Sequence, residues 1–212
     1  FFASANNRGG EESEEERVSV GFQHGNVFGR DHILTLSYTS APEALDDVRQ
    51  YGVNYEIPSY ATAGLISAFY SYSDVDTGTV GEFFEVSGQG EFYGVRYDQY
   101  LLQLGDYRHR LRVSVENRKF DNDVTFLDTP IGNDVASAPL GLRYYGEWVL
   151  PDANFGFNVG FYRNMNTGGD NEAENYADTR VGASQDWEAF RFGASFDYKL
   201  PADFLFRARY TG

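Results

Sequence analysis

The sequence predicts an all-β protein, an antiparallel transmembrane β-barrel, and three observations support this fold class. Long stretches alternate strictly between apolar and polar residues, which places the two kinds of side chain on opposite faces of strands. The polar positions are charged or glycine-rich and the apolar positions are aromatic, which is typical of a sheet with one face in lipid and one lining a wet lumen. Short turns also alternate with long loops along the chain, as they do in outer-membrane barrels.

The hairpin at 188–210 shows the alternation most clearly. On one face of its first strand lie Phe190, Phe192, Ala194, Phe196, Tyr198 and Leu200. On the other face lie Arg191, Gly193, Ser195, Asp197 and Lys199. After a Pro-Ala-Asp turn, Phe204, Phe206, Ala208 and Tyr210 continue the apolar face, opposite Arg207 and Arg209.

Composition agrees with a barrel and excludes several function classes. The chain has 212 residues with 16 Tyr, 18 Phe and no Cys, and its formal charge is −15. That charge argues against a nucleic-acid partner, which needs Lys and Arg patches. No apolar run approaches the roughly 18 to 20 residues that a spanning helix requires. We expect residues 1–212 to form a single outer-membrane β-barrel domain, cut at both ends from a longer mature protein.

The alternation predicts eleven strands. They lie near residues 1–5, 17–23, 34–39, 51–57, 66–72, 84–102, 110–118, 140–150, 155–162, 188–200 and 204–210. The alternation within 84–102 shifts at Gly88-Gln89-Gly90, where we expect a β-bulge.

The connections fall into two classes. The short turns are 26–31, 58–64, 105–108, 151–154 and 201–203, whereas the other connections are longer, acidic and rich in Asn and Gly. Because barrels place short turns in the periplasm, the long loops are expected on the cell surface. Their acidic residues are Glu11, Glu12, Glu14, Glu15, Glu16, Asp46, Asp47, Asp121, Asp123, Asp170, Glu172 and Glu174. These carboxylates either bridge lipopolysaccharide phosphates through divalent cations or simply keep the loops solvated, and the second reading is the simpler one.

A repeat of the form aromatic-x-aliphatic-Pro marks three of the short turns. Its aromatic members are Tyr55, Trp148 and Tyr198. They are expected in an aromatic girdle at the lipid–water boundary, although three ordinary Pro-terminated strands would give the same pattern.

The sequence predicts no enzyme, no metal site and no cofactor. His24, His32 and His109 lie at or beside short turns and lack partners with ligand spacing. No Gly-x-Ser-x-Gly elbow or phosphate-binding loop is present.

Charged residues at the polar strand positions are the main candidate functional residues. They are Arg110, Arg112, Glu116, Arg118, Arg143, Glu147, Arg191, Asp197, Arg207 and Arg209. Since a charge facing lipid is costly near the membrane midplane, these side chains are expected to face the lumen. There they either contact a plug or a passing chain or brace the wall through salt bridges. A conduit for an unfolded polypeptide should be polar, mixed in charge and poor in exposed aromatics, and the inward-facing positions meet that description.

Two stretches carry a resemblance to a known family. Residues 2–9 resemble a first strand running into an Asn-x-Gly loop, and residues 26–38 resemble an Asn-Leu-Phe-Gly turn followed by an alternating strand. The turn residues are Asn26, Phe28 and Gly29. The chain, including the layout of 80–119, is similar to the TpsB transporters of two-partner secretion, the ShlB/FhaC/HecB family of haemolysin activation and secretion proteins. The turn is shared with the wider BamA-like superfamily.

This resemblance implies the following architecture and function. Such proteins have periplasmic POTRA domains followed by a sixteen-stranded barrel in the outer membrane of Gram-negative bacteria, of which this chain would hold about strands one to eleven. The family's Val-Arg-Gly-Tyr motif is not in this sequence. The implied function is translocation of an unfolded exoprotein from the periplasm to the cell surface by a monomeric barrel in contact with lipid and lipopolysaccharide. The alternatives are a BamA-like insertase or, in another class, a passive porin or a surface-structural, adhesive barrel.

Overall fold

A computed structural model of the chain describes residues 1–7, 16–42, 48–74, 78–80, 84–86, 89–121, 125–126, 129–130 and 134–212. The strands are β1 (Phe2–Asn6), β2 (Arg17–Val27), β3 (His32–Ser40), β4 (Gln50–Ser59), β5 (Gly64–Ser73), β6 (Gly78–Val80), β7 (Phe84–Val86), β8 (Gly90–Tyr100), β9 (Tyr107–Phe120), β10 (Thr125–Phe126), β11 (Thr129–Pro130), β12 (Val135–Ser137), β13 (Pro139–Val149), β14 (Ala153–Asn164), β15 (Glu188–Lys199) and β16 (Leu205–Thr211). The helices are α1 (Ala173–Thr179) and the 3-10 turn Pro201–Asp203. Within these described residues, neither helix has the length and apolar character needed to cross a lipid bilayer.

One antiparallel sheet contains all the long strands. Its order is β1-β2-β3-β4-β5-β8-β9-β13-β14-β15-β16, and β12 adds to the free end of β9. Each long strand therefore pairs with the long strand that precedes it in the chain, which is the meander of an up-and-down barrel. The predicted fold class and the eleven long strands are confirmed, although the sheet does not close on itself over the described residues.

In this sheet the polar face is buried and the apolar face is exposed, which is the reverse of a water-soluble protein. Polar side chains such as Thr35, Gln50 and Asp98 are at most 2% exposed. Apolar side chains on the opposite face, such as Val20 and Leu142, are 48% and 49% exposed. An apolar face of this extent is unstable in water but is favourable against lipid. We call these surfaces the polar face and the apolar face.

The register keeps the two faces separate from strand to strand. Tyr144 pairs with Leu111 and Val159, and Val159 pairs with Phe192, so the apolar residues form continuous rows. On the other face Arg143 pairs with Arg112 and Gly160. The alternation places Leu34, Leu36, Tyr144, Phe190, Phe192 and Phe206 on the apolar face and Arg112, Arg143, Arg191 and Arg207 on the polar face.

The predicted long strand 84–102 is divided differently in the structure. Residues 84–86 pair with 78–80 in a separate hairpin, and β8 begins only at Gly90. Gly90 has a φ of +143°, and a Cβ there would lie 1.9 Å from the Lys119 carbonyl oxygen. The predicted bulge at 88–90 is therefore the start of strand β8. Only glycine allows the backbone to begin pairing so close to β9.

The turn at 28–31 explains the Asn26-Val27-Phe28-Gly29 motif. Phe28, Gly29 and Asp31 all have positive φ angles. The Asn26 side-chain oxygen accepts the Asp31 N–H at 3.0 Å, and the Asn26 carbonyl accepts the Gly29 N–H at 3.2 Å. Asparagine thus stabilises the left-handed turn with both of its oxygens.

A side-chain hydrogen bond joins this turn to the next short turn. The Tyr60 hydroxyl donates to Asp31 Oδ2 at 2.7 Å. That hydrogen bond raises the pKa of Tyr60 above its ordinary value. We refer to the strand ends that these short turns connect as the short-turn rim of the sheet. The opposite strand ends, which the long loops connect, are the long-loop rim.

Spin labelling along β15 tests the division into two faces. Residues 1–212 contain no Cys, so single Cys substitutions can be labelled here once any Cys elsewhere in the full-length protein has been replaced. In the full-length protein in lipid bilayers, labels at Phe190, Phe192 and Phe196 should be accessible to lipid-soluble oxygen, and labels at Arg191, Gly193 and Ser195 to a water-soluble nickel reagent. The accessibilities should alternate with a period of two residues. Equal oxygen accessibility at neighbouring positions would contradict the lipid contact of the apolar face.

Candidate functional site

A buried carboxylate organises the polar face where β8 meets β9. Asp98 is opposite Arg112 in the register, and its side chain is 1% exposed. Arg112 donates to it from Nε at 3.0 and 3.1 Å and from a terminal nitrogen at 2.8 Å. Arg110 Nε lies 3.6 Å away. Asp98 therefore holds two arginines of β9, and the two-pronged geometry with Arg112 is the stronger kind of charge-assisted contact.

A second buried carboxylate, Glu116 on β9, also contacts two arginines. Arg96 Nε donates to one of its oxygens at 3.1 Å, and Arg118 donates to the other at 2.7 Å. Gly94 is opposite Glu116, and a Cβ at Gly94 would lie 3.1 Å from the Glu116 Cγ. A glycine at this position therefore leaves room for the glutamate and its two arginines.

Two tyrosine rings lie beside the guanidinium groups of four arginines of the polar face. The Tyr145 ring centroid lies 4.4 Å from the Arg110 Cζ and 5.5 Å from the Arg112 Cζ. The Tyr162 centroid lies 5.4 Å from Arg143 and 5.6 Å from Arg191. Cation–π contacts of this kind are worth about 0.5–2 kcal/mol each and offset part of the repulsion between the arginines.

A cavity of about 210 Å³ opens among these side chains. The charged residues lining it are Arg96, Arg112, Glu116, Arg118, Arg143 and Arg191, and Tyr145, Tyr162 and Trp187 also line it. Five arginines thus face one carboxylate. The cavity walls are cationic although the chain as a whole is strongly acidic.

The other predicted residues of the polar face lie towards the short-turn rim. Arg207 donates to Asp197 at 2.7 Å, and both side chains are largely open to solvent. Arg110, Glu147 and Arg209 line a larger cavity of about 600 Å³. The ten predicted residues therefore share one face but form separate groups. That this face lines a lumen stays a prediction.

Sequence reasoning missed Arg96, Asp98 and Tyr145, which are central to the ion pairs and ring contacts. The signal was present, because Gly94, Arg96 and Asp98 alternate along β8. It was obscured by treating 84–102 as one interrupted strand. The expectation of a wall poor in exposed aromatics omits two half-buried rings of the polar face, because Tyr145 and Tyr162 lie beside the arginines.

At the long-loop rim a hydrogen-bond network ties two loops together. Asn164 accepts the Ala138 N–H at 2.7 Å and donates to Asn171 Oδ1 at 2.8 Å and to the Gln185 carbonyl at 2.9 Å. The Tyr176 hydroxyl, carried by α1, donates to the Ala136 carbonyl at 2.8 Å. Burial raises the pKa of Tyr176, with the hydrogen bonds from Trp187 and Asn164 acting the other way, so it remains protonated at neutral pH. The sequence predicts an acidic loop after the strand 155–162, and the helix α1 within it is not predicted.

Lys119 lies among three carboxylates at the same rim. Its Nζ is 3.4 Å from Asp121, 3.6 Å from Asp134 and 3.5 Å from Asp170. Two of the predicted acidic residues thus already have a cation partner within the protein. Glu11, Glu12, Glu14, Glu15, Asp46, Asp47 and Asp123 lie outside the described residues. In the part of the chain that the structure describes, no group of three or more His, Asp or Glu is arranged to hold a metal ion.

Several aromatic rings of the apolar face contact one another near the short-turn rim. The Trp148 ring lies 4.3 Å from Tyr107 and 5.7 Å from Phe155. Tyr198 stacks on Phe196 at 6.2 Å, and the Tyr55 hydroxyl is 2.7 Å from His32 Nδ1. The position of Tyr55, Trp148 and Tyr198 in a membrane girdle stays a prediction.

His109 also belongs to this aromatic region rather than to a catalytic site. Its two ring nitrogens lie 2.8 Å from the Tyr144 hydroxyl and 3.1 Å from the Leu102 carbonyl oxygen. Both nitrogens therefore have structural partners.

Replacing Asp98 with Asn should destabilise the protein strongly, because it leaves Arg110 and Arg112 without their shared carboxylate. Breaking a buried pair in this way costs about 3–5 kcal/mol. The matched control is Asp197→Asn, which breaks an exposed pair and should cost about 0–1 kcal/mol. Denaturant unfolding of the full-length protein in micelles measures the free energy of unfolding of each variant. Equal costs would contradict the structural role of Asp98.

Replacing Tyr176 with Phe should loosen α1 from β12. The substitution removes the hydroxyl that donates to the Ala136 carbonyl and accepts from Asn164 and Trp187, and it should increase cleavage of residues 165–187 by protease added to the protein in micelles. Each such bond is worth about 0.5–1.5 kcal/mol, so the cleavage rate should rise at least several-fold. Tyr60→Phe, which removes the exposed hydroxyl at the opposite rim, should leave this cleavage unchanged. Unaltered cleavage in Tyr176→Phe would show that the network does not hold the loops.

Comparison with known proteins gives a family for the chain. None of the curated proteins searched matches it. The family model described as haemolysin secretion/activation protein ShlB/FhaC/HecB matches residues 1–212. Because this match spans the whole chain, including all eleven strands of the meander, the chain belongs to the ShlB/FhaC/HecB family of outer-membrane two-partner secretion transporters.

Proposed function

We propose that this protein forms the conduit through which an unfolded exoprotein passes from the periplasm to the cell surface. One observation carries the proposal: the charged face of the sheet is largely self-paired, with Asp98 and Glu116 each held by two arginines. An unfolded chain exposes both apolar side chains and unpaired backbone groups. A wall whose hydrogen-bonding groups are mostly satisfied offers such a chain few strong contacts and lets it move.

The proposed lumen wall also contains many small polar side chains, and these interrupt any apolar surface. Thr35, Ser37 and Thr39 line β3, and Ser114 lies between the charged positions of β9. These short hydroxyl side chains are buried in the wall. Thr39 shares a hydrogen bond with Ser19 at 2.8 Å, and Thr35 accepts one from Gln23 at 3.2 Å, so these two groups are already satisfied and offer a passing backbone few contacts. The aromatic rings Tyr145 and Tyr162 are exceptions, and the arginines stack on them.

The orientation follows from the two rims. In this proposal the short-turn rim, with Asn26, Phe28 and Gly29, faces the periplasm, and Tyr55, Trp148 and Tyr198 lie at that membrane boundary. The long-loop rim, with α1 and Lys119, faces outward and contacts lipopolysaccharide. The chain would belong to a single, monomeric barrel domain.

Site-specific photocrosslinking tests the conduit directly. A photoreactive amino acid at Asn158 or Ser195, on the polar face of β14 and β15, should crosslink the exoprotein in cells that are secreting it. The same amino acid at Val159 or Phe196, each one residue further along and on the apolar face, should crosslink lipid or no protein.

The identity of the crosslinked protein separates the candidate functions. Crosslinks from the polar face to the exoprotein support secretion, and crosslinks to nascent outer-membrane proteins would support an insertase instead. Equal exoprotein crosslinking from both faces, or none from the polar face of an assembled barrel during active secretion, would contradict the proposal.

A further inference from the structure

Arg143 and Arg191 differ from the other arginines that line the cavity of about 210 Å³. Arg96 and Arg118 contact Glu116, and Arg112 contacts Asp98. Among the described residues, neither Arg143 nor Arg191 lies within salt-bridge distance of a carboxylate. Their shared neighbour is the ring of Tyr162, at 5.4 and 5.6 Å.

The Nε–H of Arg143 needs an acceptor. This nitrogen is buried and has no hydrogen-bond partner in the part of the chain that the structure describes. Leaving a charged donor buried without an acceptor costs more than leaving a neutral one. The guanidinium also borders the cavity, so a ligand there could supply the missing acceptor.

The sheet register brings the two free guanidinium groups to one ligand position. Arg143 on β13 and Arg191 on β15 both pair with Gly160 on β14, so they lie in one row across three strands. Neighbouring strands are about 4.8 Å apart, which places the two Cα atoms about 10 Å from each other. The Arg143 side chain and the Tyr162 ring lie over Gly160, where a Cβ would be 2.9 Å from Arg143 Nε and 3.0 Å from the ring, so the glycine makes room for both of them. Arg143 and Arg191 also line the same cavity, where the two guanidinium groups can close on one small planar anion.

We propose that Arg143 and Arg191 form a carboxylate-binding site for Asp and Glu side chains of a polypeptide in the lumen. This inference rests on the proposed function, because that function brings an extended polypeptide past the site. Arginine forks match the planar geometry of a carboxylate, and the half-buried Tyr162 ring, which also lines the cavity, gives the adjacent peptide a surface to pack on. The site would hold acidic segments briefly and neutral or basic segments hardly at all.

Single-channel recording with model peptides tests this site. The full-length protein is reconstituted in a planar bilayer, and three extended peptides that differ only in their repeated residue, Glu, Gln or Lys, are added to one side. The Glu peptide should block the current for about ten times longer than the Gln peptide, because charge-assisted hydrogen bonds are worth at least that factor. The Lys peptide should give the shortest blockades.

The double variant Arg143→Gln/Arg191→Gln should shorten the Glu-peptide blockades to those of the Gln peptide. Its matched control is Arg207→Gln/Arg209→Gln, which removes the same charge from the same face on β16. The control should keep the long Glu-peptide blockades. Heat-dependent migration in gels verifies that each variant has assembled, and if the double variant does not assemble, the three peptides on the parent protein still decide the question.

Three outcomes would overturn the proposal. The first is that the Glu and Gln peptides block the parent protein equally. The second is that the control variant shortens the blockades as much as the double variant. The third is that the double variant alters only the permeability to small ions. None of these outcomes bears on exoprotein crosslinking in secreting cells, so the conduit can hold while the carboxylate site fails.

Discussion

The unbroken antiparallel register of the sheet is the constraint on which the rest of this structure depends. Side chains alternate between faces with a period of two, so a slip of one residue would turn a whole strand over. In β8 such a slip would move Asp98 from its arginines to the apolar face. From β3 to β16 the main ladders run without a register shift, and the irregularity between His24 and Val27 lies beside a short turn. The strong contrast between the two faces makes any other register costly.

The charges of the polar face are stable because they are arranged as shared pairs and stacks. Asp98 and Glu116 each serve two arginines, and the rings of Tyr145 and Tyr162 each lie beside two or more guanidinium groups. Breaking one member would leave several charges uncompensated, so the groups act together. The arrangement still has more cations than anions around the smaller cavity. That imbalance distinguishes Arg143 and Arg191 from arginines that only brace the wall, and it gives the polar face a local charge opposite to that of the whole chain.

The long-loop rim is organised by polar contacts more than by a hydrophobic core. Asn164 and Tyr176 connect β12, β14 and α1 through hydrogen bonds, and Lys119 draws together aspartates from three segments. A barrel has little apolar interior to hold its loops, so side-chain amides, hydroxyls and ion pairs take that role. The short-turn rim uses a different device, in which Asn26 stabilises left-handed backbone within a few residues.

The sequence by itself determined the fold class, the eleven strands of the main meander and the sheet face of its candidate charged residues. These features depend on local alternation, which is readable wherever a strand has one polar and one apolar side. It could not determine that Asp98 would hold Arg110 and Arg112, or that Tyr145 would lie beneath three arginines, because such contacts depend on which residues the register places side by side on neighbouring strands. It also missed α1 and the pairing of residues 78–80 with 84–86, whose sequences carry no strong period. Only the tertiary structure decided which arginines are paired and which remain free, because pairing depends on distances across strands that no single stretch of sequence contains.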